Sequence, residues 1–181
     1  MGFLKAALVA NRIYSETMAQ IERGAELGSM LRHLNHFVVQ NLASSAFYFT
    51  VAAVRLHRRR GLLQFAGAGH PPAMILRRGE SPQLLESKSM VLGLFEDAVD
   101  SDPMIETSLE AGDRLVIYTD GLTENFNSRS EMLGTDGLLD IVCNVAGLPL
   151  VEMKQQILNR VAAWRDGAAT DDVSLVVLEL S

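Results

Sequence analysis

The chain has few of the residues that build cross-linked or membrane-spanning folds. Its 181 residues include one cysteine, Cys143, which excludes a disulfide framework or a cysteine-based zinc site within one chain. No apolar run approaches the ~20 residues that a membrane span needs. Asn11 and Arg12 interrupt the apolar start of the chain, and no clean cleavage site follows, which argues against a secretion signal. These absences predict a cytoplasmic protein without a membrane segment.

Basic residues are also in deficit, because 16 lysines and arginines face 22 acidic residues and leave a net charge of −6. General nucleic-acid binding normally requires a basic footprint, so we do not expect it. One basic cluster exists, at Arg55 and residues 57–60. A solvated hairpin turn is the simpler interpretation of this cluster, and a docking patch for an acidic partner is the alternative.

Hydrophobic residues make up 48% of the chain, which is ordinary for one globular domain, and we expect a single domain over residues 1–181. Apolar residues recur at helical spacing in two early segments. The two stripes consist of Leu4, Leu8, Tyr14, Met18 and Ile21, then Leu27, Leu31, Leu34 and Val38. His33 and His36 could bind a metal from the second helix, but no third ligand is near in sequence, so a solvated pair is the better interpretation.

Further along, the pattern changes to β-strands and ends with two helices and a strand. The early strands are separated by a turn at 58–61 and followed by a long surface loop at 79–102, which contains the apolar stretch 91–95. A polar flap is predicted at 125–135. The predicted strands are 47–56, 62–68, 73–77, 104–109, 114–119 and 173–180, and the late helices are 136–145 and 149–165. Because helices and strands fall in blocks, the pattern favours an α+β fold.

Acidic residues stand at the ends of two predicted strands. Asp120 follows one strand directly and precedes Gly121. Asp171 and Asp172 directly precede the last strand. Two carboxylates about 4 Å apart repel by about 4 kcal/mol at an effective dielectric near 20. A Mg²⁺ or Mn²⁺ ion would relieve that repulsion, since hard oxygen ligands suit both ions. Taken singly, each position is also typical of a solvated turn.

Five segments occur in an order that resembles bacterial phosphatases of the SpoIIE type, within the metal-dependent 2C-type serine/threonine phosphatases. They are AGAGHPP, LGLFED, LEAGDRLVIYTDGLTE, EMLGTDGLLDIV and TDDVSLVVLEL. The resemblance covers essentially the whole chain and is strongest from Phe65 onward. It implies an antiparallel β-sandwich flanked by helices, with a two-metal centre at one edge.

The resemblance also implies the site and its chemistry. Asp120 and Asp171 match metal-binding, catalytic aspartates, Asp172 assists, and Gly121 lets backbone and metal-bound water approach closely. Two Mn²⁺ or Mg²⁺ ions would activate a water for attack on phosphorus. The implied substrate is a phosphoserine or phosphothreonine on an anti-anti-sigma type of regulatory protein, downstream of a sensory or receiver domain. His70 has either a structural role at its Gly-Pro corner or a place near the phosphate, and a homodimer is left open.

The chain departs from the family pattern in one respect. The family's first metal-binding aspartate stands in an Asp-Val-x-Gly-His-Gly segment before the first long helix, and the printed sequence has no such segment. We therefore expect an N-terminally incomplete sandwich with weakened metal binding. Two alternatives to an active phosphatase follow: a catalytically inactive pseudophosphatase that binds a partner protein, or a fragment that needs upstream residues to work.

Overall fold

The computed structural model describes residues 2–42, 47–167 and 171–181. It contains four helices and seven strands in these parts of the chain. In chain order they are α1 (Gly2–Glu22), α2 (Leu27–Leu42), β1 (Val51–His57), β2 (Leu62–Ala68), β3 (Ala73–Leu76), β4 (Gln83–Leu85), β5 (Met104–Ser108), β6 (Arg114–Tyr118), α3 (Gly134–Val145), α4 (Leu150–Trp164) and β7 (Leu175–Glu179). Every strand pairing is antiparallel, which confirms the predicted α+β class. No helix in these ranges has the length and apolar character of a membrane span.

The chain divides into two compact units. The first unit is formed by Met1–His70 and Ser87–Ser108, and the second by Pro71–Glu86 and Leu109–Ser181.

The first unit packs α2 on a three-stranded sheet with the order β1-β2-β5. Leu31 and Leu34 of α2 are almost fully buried together with Ala66 and Ala68 of β2. The predicted stripe of α2 is therefore confirmed, because side chains four and three residues apart share one face of a helix.

The predicted stripe of α1 is wrong in part. Tyr14 is 63% exposed and Ile21 is 51% exposed, whereas Val9 and Ile13 belong to the packed face beside Val38. Leu4 and Leu8 of the predicted stripe lie outside the described side chains. In the rest of α1, periodicity alone did not identify the buried residues.

The segment predicted as a surface loop at 79–102 is more ordered than expected. It contains β4, which pairs with β3 in the second unit, and Leu92, which is fully buried in the first unit and forms a bridge with Phe49. Asn35 of α2, itself 1% exposed, donates hydrogen bonds to the carbonyls of Phe95 and Glu96 and accepts one from the backbone of Gly93. Long-range partners thus hold a segment whose local sequence is typical of a loop.

The second unit builds a four-stranded sheet with the order β4-β3-β6-β7 and packs α3 and α4 against it. Its core contains Met74 and Val116 from the sheet and Val142 and Ile157 from the helices, all of them fully buried. The strands joined by the turn at 110–113 lie in different sheets, since β5 pairs with β2 and β6 pairs with β3 and β7.

Strand and helix limits differ from the prediction mainly at their ends. The strand expected to begin at Phe47 begins at Val51, and the last strand is shortened at both ends. The turn at 58–61 and the strand 62–68 are confirmed. Ends shift because the hydrogen bonds of the neighbouring strand, which decide them, come from distant parts of the sequence.

Candidate metal centre

The candidate site lies in the second unit, at the end of β6. Tyr118 is 1% exposed, and its burial raises the pKa of its hydroxyl. The chain then leaves the sheet in a short 3₁₀ turn, Asp120–Leu122, in which the amides of Thr123 and Glu124 both donate to the carbonyl of Asp120 at 2.8 Å. The Asp120 side chain is exposed and accepts a hydrogen bond from its neighbouring amide through Oδ1 at 3.0 Å.

The beginning of β7 lies beside this turn. Tyr118 pairs with Leu175, so in an antiparallel ladder the residues after Tyr118 run alongside those before Leu175. Thr119 continues the contact: its amide donates to the carbonyl of Ser174 at 3.1 Å, and its Oγ1 accepts from the Ser174 amide at 2.8 Å. The same hydroxyl donates to the carbonyl of Asp172 at 3.2 Å.

These contacts bring together two predicted regions that are 51 positions apart in the sequence. Asp120 and the pair Asp171–Asp172 stand at one edge of the sheet, with all three side chains exposed. Asp171 Oδ1 accepts from the Asp172 amide at 2.8 Å, which leaves each of Asp120 and Asp171 one carboxylate oxygen without a hydrogen bond from the described residues.

Gly121 is buried between the two segments. A Cβ at this position would stand 3.0 Å from the carbonyl carbon of Asp172 and still closer to its oxygen. Real Cβ atoms do not approach backbone so closely, so only glycine allows the strand ends to meet here. The predicted close approach therefore concerns the backbone of Asp172, while an approach of water to Gly121 stays a prediction.

Asn125 is a functional candidate that the sequence analysis missed. It is 3% exposed, and its Nδ2 donates to the carbonyls of Gly121 at 2.8 Å and Leu122 at 3.2 Å. The backbone carbonyl of Asn125 accepts a hydrogen bond from the amide of Leu133, near the end of the predicted flap. Asn125 thus holds the turn that carries Asp120. Its sequence context is that of a surface loop and contains no signal of burial.

The oxygen ligands at this site are of the kind that a hard divalent cation binds, but they are few. Carboxylate and carbonyl oxygens are the ligands that Mg²⁺ and Mn²⁺ accept. Within residues 2–42, 47–167 and 171–181, however, no group of three or more histidine, cysteine, aspartate or glutamate side chains is arranged to hold a metal ion. The number of ions that the site would hold stays a prediction.

His70 lies in the first unit, at the corner that follows β2. Its carbonyl accepts a hydrogen bond from Ser87 Oγ at 2.7 Å. No cis peptide bond occurs in the described parts of the chain, so Pro71 and Pro72 are trans. Since this contact is made by the backbone, the role of the His70 side chain stays a prediction.

The comparisons with known proteins agree with this fold. The family model of stage II sporulation protein E (SpoIIE) matches residues 4–181. The chain belongs to this family. Among curated relatives, phosphoserine phosphatase RsbU of Bacillus subtilis (strain 168) is 27% identical over 176 residues, which cover 97% of this chain and 51% of RsbU.

Solved structures give the same fold for this SpoIIE-family chain. The SiaA-PP2C domain of Pseudomonas aeruginosa superposes with a TM-score of 0.81 at 21% identity and covers 97% of this chain and 70% of that one. The catalytic domain of the serine/threonine phosphatase PstP, solved with two manganese ions, has a TM-score of 0.62 at 15% identity and covers 93% and 79%. The fold is therefore that of 2C-type phosphatase domains, and the chain spans about half the length of RsbU.

Proposed function

We propose that this chain forms the larger part of a metal-dependent phosphatase domain that removes phosphate from phosphoserine or phosphothreonine on a regulatory protein. The observation that supports the proposal is the meeting of the β6 end with the β7 start, where Thr119 and Gly121, the two neighbours of Asp120, lie against the backbone of Asp172. We assign Asp120 and Asp171 as the metal ligands and catalytic carboxylates, with Asp172 assisting.

The exposed oxygens at this edge are suited to Mn²⁺ or Mg²⁺, which prefer carboxylate ligands. When bound, two such ions would supply an activated water for in-line attack on phosphorus and would neutralise charge on the phosphoryl oxygens. The chain itself supplies the positions of the ligands. Thr119 ties the two strand ends together, and Asn125 holds the turn that carries Asp120.

The substrate class comes from the similarity to RsbU, which is a phosphoserine phosphatase. An anti-anti-sigma type of regulatory protein, phosphorylated on serine or threonine, is the substrate we propose. In the full-length protein a sensory or receiver domain would control the activity. β7 is an edge strand of the described sheet, and such a strand can pair with the same strand of a second copy to form a homodimer.

A binding module without hydrolysis is the second candidate. It is favoured by the small number of ligands, since no group of three metal-binding side chains occurs in the described ranges. A pseudophosphatase would bind its partner protein equally well with and without a divalent ion. The phosphatase requires the ion.

Calorimetric titration with Mn²⁺ and hydrolysis of a phosphoserine peptide separate the two candidates. Because the printed chain has no Asp-Val-x-Gly-His-Gly segment, we expect weak Mn²⁺ binding and little or no turnover from its 181 residues. A version extended upstream to include such a segment should bind Mn²⁺ and turn over. Equal turnover by the two versions would contradict our account of the site, and no Mn²⁺ binding by either would favour the binding module.

A further inference from the structure

The basic turn between β1 and β2 is a feature that the proposed phosphatase chemistry does not use. Arg58, Arg59 and Arg60 form a short 3₁₀ turn, and all three are exposed. Gly61 closes the turn in the left-handed region at φ 55°, with its amide directed at the carbonyl of Arg58. The turn is thus a defined backbone structure that presents three consecutive guanidinium groups.

The pairing of these guanidinium groups differs from that of other arginines in the chain. Within the described residues none of the three side chains forms an ion pair or hydrogen bond, whereas Arg32, Arg114 and Arg129 each pair with a glutamate. Three like charges in one turn repel one another, and anions from outside the unit would relieve that repulsion. The turn therefore has unused capacity for carboxylates or phosphates.

The residues next to the turn include hydrogen-bonded polar side chains and one exposed aliphatic side chain. His57 contacts Gln64, which in turn donates a hydrogen bond to Glu106. The polar side chains beside the turn therefore include one carboxylate. Leu56 is 39% exposed and lines, with residues 57–60, an open hollow of about 500 Å³. The surface thus combines three free cations with one exposed aliphatic side chain.

We propose that the Arg58–Arg60 turn is a docking site for an acidic segment of a partner protein. Three cations are fewer than the 4–8 basic residues typical of anionic membrane sites and the roughly 6–10 phosphate contacts typical of DNA-binding proteins. A short peptide with glutamates or aspartates and an apolar side chain suits the size and the chemistry. The proposal does not depend on the phosphatase activity.

The test measures binding of a fluorescein-labelled deca-glutamate peptide, and of the same peptide with two central leucines, by anisotropy at low salt. R58Q/R59Q/R60Q should weaken binding at least about tenfold, and added salt should weaken binding to the unaltered chain. R58K/R59K/R60K keeps the charge and should retain most of the affinity. Leu56→Ser should weaken only the leucine-containing peptide.

The matched control is R23Q/R78Q/R160Q, which removes the same charge from exposed arginines that also have no side-chain partner within the described residues. It should change the affinity by less than about twofold, because scattered charges act only through a screened general field. An equal loss in this control, or no peptide binding at all, would overturn the proposal. So would tighter binding of duplex DNA or phosphatidylserine vesicles through the same three arginines.

Discussion

At the acidic edge of the second unit, formed by Asp120, Asp171 and Asp172, the backbone is held by distant partners. Thr119, which precedes Asp120, bonds to Asp172 and Ser174, more than 50 positions away. At the arginine turn of the first unit, the backbone is closed by a bond over three residues, from Gly61 to Arg58. Both segments expose like charges at strand ends. The acidic edge depends on tertiary packing and the basic turn on local geometry, so changes to the two should have different consequences.

The largest effect should come from the carboxylates of the acidic edge. In a protein extended upstream, Asp120→Asn or Asp171→Asn should lower Mn²⁺-dependent hydrolysis of a phosphoserine peptide by more than about 100-fold, because loss of even an outer-shell partner costs 10–100-fold. Asp172→Asn should be milder. The control is Asp140→Asn, an exposed aspartate on α3. Wild-type rates for both Asp120→Asn and Asp171→Asn would refute the metal assignment.

Two glycine substitutions compare the two segments directly. Gly121→Ala places a Cβ against the carbonyl of Asp172 and should destabilise the chain by about 3 kcal/mol, at the upper end for overpacking, because backbone cannot move aside as a side chain can. Gly61→Ala should cost about 1–2 kcal/mol through its positive φ alone. Urea denaturation measures both values. Equal losses would mean that the acidic edge is no more dependent on packing than the arginine turn.

The strand beside the acidic edge gives a third prediction. β7 pairs only with β6 in the described sheet, and Val176 and Leu178 on it are 46% and 41% exposed. Such an edge can pair with another copy, so we expect self-association that Val176→Lys weakens several-fold. Sedimentation measures the oligomeric state. Val151→Lys, at an 80% exposed position on α4, is the control. A monomer at all concentrations would contradict this expectation.

The smallest effect concerns a local contact of the first unit. The amide of Gly28 donates to Glu26 before α2 and, with bonds from Ser29, holds the pKa of Glu26 below its ordinary value of 4.5. A lowered folded pKa means that this stabilisation is present above pH 4.5 and is lost as the pH falls through the folded value. Glu26→Gln should therefore cost less than about 1 kcal/mol at pH 7, and less below pH 4.

The control for Glu26 is Glu22→Gln, on the exposed end of α1, which should leave the unfolding free energy unchanged at either pH. Thermal unfolding at pH 7 and pH 3.5 measures both variants. A Glu26→Gln penalty that grows as the pH falls would show that the carboxylate does not act as this cap.

The candidate carboxylates could be selected from the sequence because they are next to strands, and their role as metal ligands stays a prediction. Asp120, Gly121 and the Asp171–Asp172 pair flank strands that β-rich sequence made visible. Asn125 could not be predicted, since its burial arises from the folding of residues 125–133 over the turn, and its loop-like context gives no periodic signal. The sequence likewise could not tell whether Gly121 makes room for the backbone of Asp172 or for water, because that depends on which segment lies beside it.

By itself the sequence determined the helices, the turn at 58–61 and the acidic positions at strand ends, because each depends on propensities and hydrogen bonds within a few residues. Only the tertiary structure decided the rest. It made β4 a strand, buried Asn35 against a segment 60 positions away, and brought the turn at Asp120–Leu122 against the backbone of Asp172. Such pairings depend on which strand lies next to which, and the free energy of that choice is shared among contacts that no local stretch of sequence contains.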